Sequence, residues 1–318
     1  MKVYRHDVAL SGCRMNNGIR IKGQDKDSLW INHSGLAVVC EGGGQRGIFT
    51  AGILDTFLEH GFFPFKTLIG TSAGAQNLSA YACGAQGYAR RIITHYTTHK
   101  QFFNPLRFAR GGHLIDLDWL FETSERLDPL DLPRGQRRLA GRAMYLCASR
   151  SDTLAADYLP FTPEGWGLTV KASSAIPLFY RGGVTVDGVN YWDGGVADAL
   201  PVQAAHDKGS DCIVVIRTLP AGTPTRPLVL PPSLLNGRLK GMANVLQSHY
   251  DSYRKAQAFI EKPPAGTKII EMAPCHPLKS TLLGSRPEAL KHDYEAGQAC
   301  ARQFMERYAW RLRKQPPR

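Results

Sequence analysis

The chain alternates short unbroken apolar runs with stretches whose apolar residues recur at helical spacing. "GLAVVC" and "CIVVI" are apolar throughout and are stopped by glycines or polar residues, the pattern of strands buried on both faces. The first runs into "EGGG". "QRGIFTAGILDTFLEHG" then places Ile48, Phe49, Ile53, Leu54, Phe57 and Leu58 on a helical period, with Gly61 available to end the helix. "TLIG" predicts a second short strand, and "AGAQNLSAYACG" a helix whose small residues allow close packing under a sheet. "AMYLCAS" (Ala143 to Ser149) and "DCIVVIRT" (Asp211 to Thr218) predict two more buried strands. "YRGGVTVDGVNYWDGG" (Tyr180 to Gly195) predicts a hairpin turning at Asp187-Gly188, and "PVQAAHDKG" (Pro201 to Gly209) a short helix. Strand and helix in alternation predict an α/β architecture with a mainly parallel sheet.

The two flanks have a different texture. Residues 1–35 have no sustained period and read as an extended arm. After the Pro-dense "TLPAGTPTRPLVLPP" (Thr218 to Pro232) the pattern turns mostly helical, interrupted by the strand-like "TKIIEMAP". These shifts divide the chain into an arm (1–35), an α/β unit (36–220) and a mostly helical C-terminal extension (221–318). The extension is expected to pack on the α/β unit, not to stand as an independent domain.

Of the 318 residues, 43% are hydrophobic and 21% charged, which excludes a disordered chain. No apolar run approaches the roughly 20 residues that span a bilayer. "MKVYRHDVALSGCRMNNG" lacks the apolar core of a secretory signal. Seven scattered cysteines argue against a disulfide framework and fit a reducing cytoplasm. The formal charge of +12 suits nucleic acid or an anionic membrane. No basic stretch interleaves aromatics as an RNA-binding sheet does, so a solvated basic surface is expected and no specific nucleic-acid partner. "FFNPLRFARGG" (Phe102 to Gly112) sets aromatics beside arginines. That suits either the end of a core helix or peripheral docking on anionic lipid at the inner face of a membrane. "HYTTH" (His95 to His99) is a single i, i+4 pair without a third ligand, and no acidic calcium loop is present. No metal or other cofactor is expected.

Three glycine-rich signals carry the candidate chemistry. "EGGGQRG" (Glu41 to Gly47) follows a strand and precedes a helix. A dinucleotide loop has that form, but the acidic residue expected roughly 20 positions on is absent, because the next strand runs straight into "GTSAG". The other use of such a loop is an oxyanion hole, in which glycines turn backbone N–H groups outward at a helix N-terminus. Arg46 suits steadying the loop, holding an anionic substrate, or a surface ion pair. The second signal is Gly70-Thr71-Ser72-Ala73-Gly74. It fits a turn with a helix-capping serine, and equally a nucleophile elbow that lifts a hydroxyl onto a strained strand-to-helix turn. The third is "WDGG" (Trp192 to Gly195). Asp193 could take a proton from a serine hydroxyl, with Gly194 and Gly195 leaving room around it, or simply sit in a turn.

In this order, with "ASSAIPLFY" (Ala172 to Tyr180) between the last two, the motifs resemble those of the patatin-like phospholipase family, and the wording is most similar to its largely uncharacterised bacterial members. The resemblance covers about residues 36 to 220. It implies a three-layer α/β/α sandwich and a Ser-Asp dyad without histidine, with Ser72 the nucleophile and Asp193 the general base. Gly42, Gly43 and Gly44 would supply oxyanion N–H donors. Arg46, Gly47, Gly70, Gly74, Gly194 and Gly195 would support the motifs. The implied reaction is hydrolysis of a fatty-acyl ester through an acyl-serine intermediate, with a lipid as substrate and no cofactor. Glu41 stands where plant members carry Asp. Two rivals remain. A Ser-His-Asp hydrolase would need His206, His249, His276 or His292 as base, and a non-catalytic lipid-binding protein could keep the same fold.

Overall fold

The computed structural model describes residues 18–23, 35–224 and 240–313. Most of the expected arm, the end of the Pro-dense stretch and the last residues of the basic tail lie outside them. Among the described residues nine strands form one sheet. They are β1 (Ile19–Lys22), β2 (Leu36–Cys40), β3 (Thr67–Thr71), β4 (Ala143–Arg150), β5 (Ala156–Pro160), β6 (Val184–Val186), β7 (Val189–Asp193), β8 (Cys212–Ile216) and β9 (Lys268–Met272). The order is β1-β9-β8-β2-β3-β4-β7-β6, with β5 also paired to β4. The central run from β9 to β4 is parallel, and the strands outside it join antiparallel.

The six longest helices are α1 (Gly47–Glu59), α2 (Ala73–Cys83), α3 (Leu117–Leu127), α4 (Trp166–Ser174), α5 (Lys240–Glu261) and α6 (Pro287–Phe304). The unbroken apolar strands are explained by helices on both sides. Leu36, Val38 and Cys40 of β2 join the layer that contains residues of α1, α2 and α6. Ala37 and Val39 join the opposite layer, which holds the short helix Val202–Asp207 and Tyr253, Ala256 and Ile260 of α5. The architecture is a three-layer α/β/α sandwich around a mainly parallel sheet, with a mostly helical C-terminal region. Alternation along each strand assigns side chains to the two layers.

The structure refines several of the sequence readings. Ile19–Lys22, inside the expected arm, is an edge strand antiparallel to β9. "TKIIEMAP" becomes β9, paired parallel with β8, so the C-terminal region contributes to the sheet itself. Phe102 is buried in the core, and the exposed large apolar side chain of "FFNPLRFARGG" is Leu106. At the hairpin turn Asp187 (φ 49°) and Gly188 (φ 79°) are both left-handed, as a two-residue type I′ turn requires. The free cysteines Cys40, Cys83, Cys147, Cys212 and Cys300 are all buried. No helix among the described residues is long and apolar enough to cross a membrane.

The topology places the site. From β2 the chain steps one way to β3 and β4, while β8 and β9 lie on the other side of β2. In an open parallel sheet such a reversal leaves a crevice beyond the strands' carboxyl ends. Glu41 to Gly44 follow β2, Ser72 follows β3, and Arg217 and Thr218 follow β8.

Candidate active site

Ser72 connects β3 to α2 with φ 55° and ψ −125°. A non-glycine residue there carries strain of about 1–3 kcal/mol, which persists only where its surroundings over-determine it. Two close approaches impose the turn. A Cβ at Gly70 would lie 2.6 Å from the Ala75 nitrogen, and one at Gly74 would lie 2.3 Å from the Cys40 carbonyl oxygen. The Ser72 N–H donates to Ser173 Oγ at 2.9 Å, and the Ser173 hydroxyl donates to the Cys147 carbonyl at 2.5 Å. Ser72 is thus held at the N-terminus of α2 and is 7% exposed.

The glycine loop is fixed by its neighbours. Gly44 is left-handed (φ 56°), and a Cβ there would meet the Leu282 carbonyl oxygen at 2.3 Å. The same carbonyl accepts from the Gln45 N–H at 3.0 Å. The three glycines expected as donors differ. The Gly42 N–H already donates to the Ala199 carbonyl at 3.2 Å. Those of Gly43 and Gly44 have no hydrogen-bond partner among the described residues. The sequence could not separate them, because the acceptor lies 157 positions downstream (199 − 42). Gly47 opens α1, and its carbonyl accepts from Asn77 Nδ2 at 2.9 Å. Arg46 lines the cavity, with a buried Nε that has no hydrogen-bond partner.

Asp193 ends β7 and is 6% exposed. Its N–H donates to the Ala175 carbonyl at 2.8 Å, and the Gly194 N–H to the Ser173 carbonyl at 3.1 Å. Ser173 therefore holds both motifs, the serine turn through its hydroxyl and the aspartate turn through its carbonyl. The sequence reading noted its segment but not this role. A Cβ at Gly194 would lie 2.2 Å from the Cys147 carbonyl oxygen, so the turn sits directly on β4. Asp193 Oδ1 accepts from the Gly195 N–H at 2.7 Å. Oδ2 is buried without a normal hydrogen bond. Burial pushes the carboxyl up to about 6, against the Ser72 hydroxyl, the Gly195 N–H and the His249 imidazole, which favour the ionised form.

These groups surround one cavity of about 550 Å³. Gly42, Gly43, Gly44, Ser72, Asp193 and Gly195 line its reactive side. Gly47, Gly70, Gly74 and Gly194 stand behind it. The facing wall was not anticipated: α5 supplies Met242, Val245, Leu246, His249 and Tyr253. Its only sequence signal is their spacing on one helical face.

Among the four histidines weighed as a base, only His249 lines the cavity. Its Nδ1 pairs with the Gly195 carbonyl at 2.5 Å. A carbonyl accepts only from a protonated ring nitrogen, so Nδ1 carries the hydrogen. In a Ser-His-Asp arrangement that hydrogen would face the carboxylate.

Comparison with known proteins gives the family and the fold. The family model described as patatin-like phospholipase matches residues 38–206, and one described as a domain of unknown function matches residues 239–313. The uncharacterised protein YjjU of Escherichia coli (strain K12) is 49% identical over 274 residues, covering 85% of this chain and 77% of that protein. Lysophospholipase NTE1 of Debaryomyces hansenii is 23% identical over 198 residues, covering 58% of this chain and 12% of that protein. The crystal structure of VipD from Legionella pneumophila matches with a TM-score of 0.50 at 14% identity, over 92% of this chain and 70% of that one. This last likeness is one of fold.

Proposed function

The chain belongs to the patatin-like phospholipase family, and from that premise we propose that it is a serine lipid acyl hydrolase working through a Ser72–Asp193 dyad. The observation that carries the reading is the pairing of Ser72 on a strained turn with a buried Asp193 whose Oδ2 has no normal hydrogen bond, in one cavity. A carboxyl pushed up to about 6 is ionised at neutral pH yet remains basic enough to accept a proton.

The steps follow from these positions. Asp193 takes the hydroxyl proton as Ser72 Oγ bonds to the acyl carbonyl carbon. The oxyanion that forms is met by the N–H groups of Gly43 and Gly44, with α1 and α2 presenting their N-termini nearby. Collapse breaks the ester bond, and Asp193 returns its proton to the departing alcohol oxygen. Water then attacks the acyl-serine with Asp193 again as base, releasing the fatty acid and restoring Ser72. Gly42 holds the loop in this scheme and is not a donor, because its N–H is already committed to Ala199.

The substrate is a lipid ester reached from a membrane surface. Leu106, 60% exposed and next to the exposed Arg110, supports peripheral contact with an anionic membrane. The test is release of p-nitrophenol from butyrate through palmitate esters. Wild-type turnover that disappears in Ser72→Ala is expected. Equal turnover by the two proteins would remove Ser72 from the mechanism. A folded wild type inert on every ester, even with added lipid, would favour a lipid-binding protein on this fold.

A further inference from the structure

The cavity has two walls of different origin. The reactive wall lies at the ends of β2, β3 and β7. The facing wall is a stripe on α5, from the segment matched by the domain of unknown function. Met242, Val245, Leu246 and His249 recur at i, i+3, i+4 and i+7, so they share one helical face. The helix has two distinct halves. Tyr253, Ala256 and Ile260 belong to the packed core. Val245 is only 6% exposed, yet it joins neither core layer. Met242 and Leu246 join neither as well. Val245 is buried, Met242 and Leu246 are half-buried, and all three line the cavity.

The position of this stripe is fixed relative to the chemistry. His249 Nδ1 meets the carbonyl of Gly195, whose N–H holds Asp193. One turn further, the Tyr253 hydroxyl donates to Glu41 at the start of the glycine loop. Met242 precedes His249 by seven residues, about 10 Å along a helix. An extended carbon chain advances about 1.2 Å per bond, so about eight bonds cover that span. The opposite side is apolar too, with Ile176, Leu178 and Phe179, and Leu178 reaches solvent at the rim.

We propose that α5 is the acyl-selecting wall of the site, with Met242, Val245 and Leu246 receiving the fatty-acyl chain and their volumes setting the chain length cleaved. The ligand is an unbranched medium or long acyl chain. This rests on the reading of Ser72 as the acylated residue. Each methylene buried along the stripe favours binding by about fourfold. The rate constant kcat/KM therefore climbs from butyrate until the stripe is covered.

The experiment measures the ratio of kcat/KM for p-nitrophenyl palmitate to that for p-nitrophenyl butyrate. Val245→Trp is expected to lower the ratio at least about tenfold, by overfilling the channel. Met242→Ala is expected to move the preferred length upward. A polarity-sensitive fluorescent fatty acid is titrated in parallel into Ser72→Ala and into Ser72→Ala/Val245→Trp. Binding at least about tenfold weaker in the double variant is expected. Ratios and affinities unchanged in folded variants overturn the wall. If Ser72→Ala hydrolyses esters like the wild type, the nucleophile assignment fails instead, and the titration still decides the wall. If Val245→Trp does not fold, Leu246→Ala and Met242→Ala carry the same measurement.

Discussion

Two buried carboxylates border this cavity, and they are built differently. Glu41 follows β2 and Asp193 ends β7; each precedes glycines, and they are 2% and 6% exposed. Both oxygens of Glu41 are engaged. Oε1 accepts from the Tyr253 hydroxyl, and Oε2 from the N–H and hydroxyl of Thr218. The Arg217 guanidinium lies close by, paired with Glu271 at 2.6 Å and bonded to the same Tyr253 hydroxyl. Asp193 has the Gly195 N–H on one oxygen, no normal hydrogen bond on the other, and no salt bridge among the described residues. A buried acid with its lone pairs taken is a strut joining β2, β8 and α5. A buried acid with one oxygen left over is poised to accept a proton.

The comparison breaks most sharply by substitution. Asp193→Asn and Ser72→Ala should each lower ester turnover by at least about 10³-fold. Residual activity above that level in either purified protein would return Asp193 to a structural role. Glu41→Gln should act on the fold, costing about 1.5–3 kcal/mol by putting an amide nitrogen in place of one carboxylate oxygen that accepts from Tyr253 or Thr218. Urea unfolding would measure it, and an unchanged midpoint would contradict the strut. Asp193→Asn should have the opposite sign. The carboxyl sits at about 6 in the folded protein against 3.8 for the ordinary group. The folded state therefore binds the proton more tightly, and stability falls as pH rises from about 4 to 6. Above that window the penalty is on the order of 2–3 kcal/mol. The amide removes it, so the variant should melt higher than the wild type at pH 7 and equally at pH 4. The gentlest test is the pH profile. The acid limb of kcat/KM should lie near 6 and move upward in His249→Ala, because the imidazole favours the ionised carboxylate. An unmoved limb would separate His249 from the electrostatics of the base.

"CEGGG" and "WDGG" look alike as sequence, and nothing within either motif marks one acid as fully hydrogen-bonded and the other as keeping an oxygen over. What the sequence determined by itself was local. The unbroken run Leu36 to Cys40 fixes a strand covered on both faces, the spacing from Ile48 to Leu58 fixes a helix, and Asp187-Gly188 fixes a hairpin turn. Gly70 and Gly74 around Ser72 mark a turn that carries strain. Each depends on residues a few positions apart, through backbone sterics and side-chain period. The partners were decided only by tertiary structure. Ser72 meets Ser173 across 101 positions, His249 meets Gly195 across 54, and Tyr253 meets Glu41 across 212. The Gly42 N–H is occupied because Ala199 folds over it, and the cavity has its second wall because α5 returns to the glycine loop. Hydrogen-bond occupancy, burial and the wall of a cavity belong to groups that meet only when the sheet is assembled, and spacing along the chain carries no record of them.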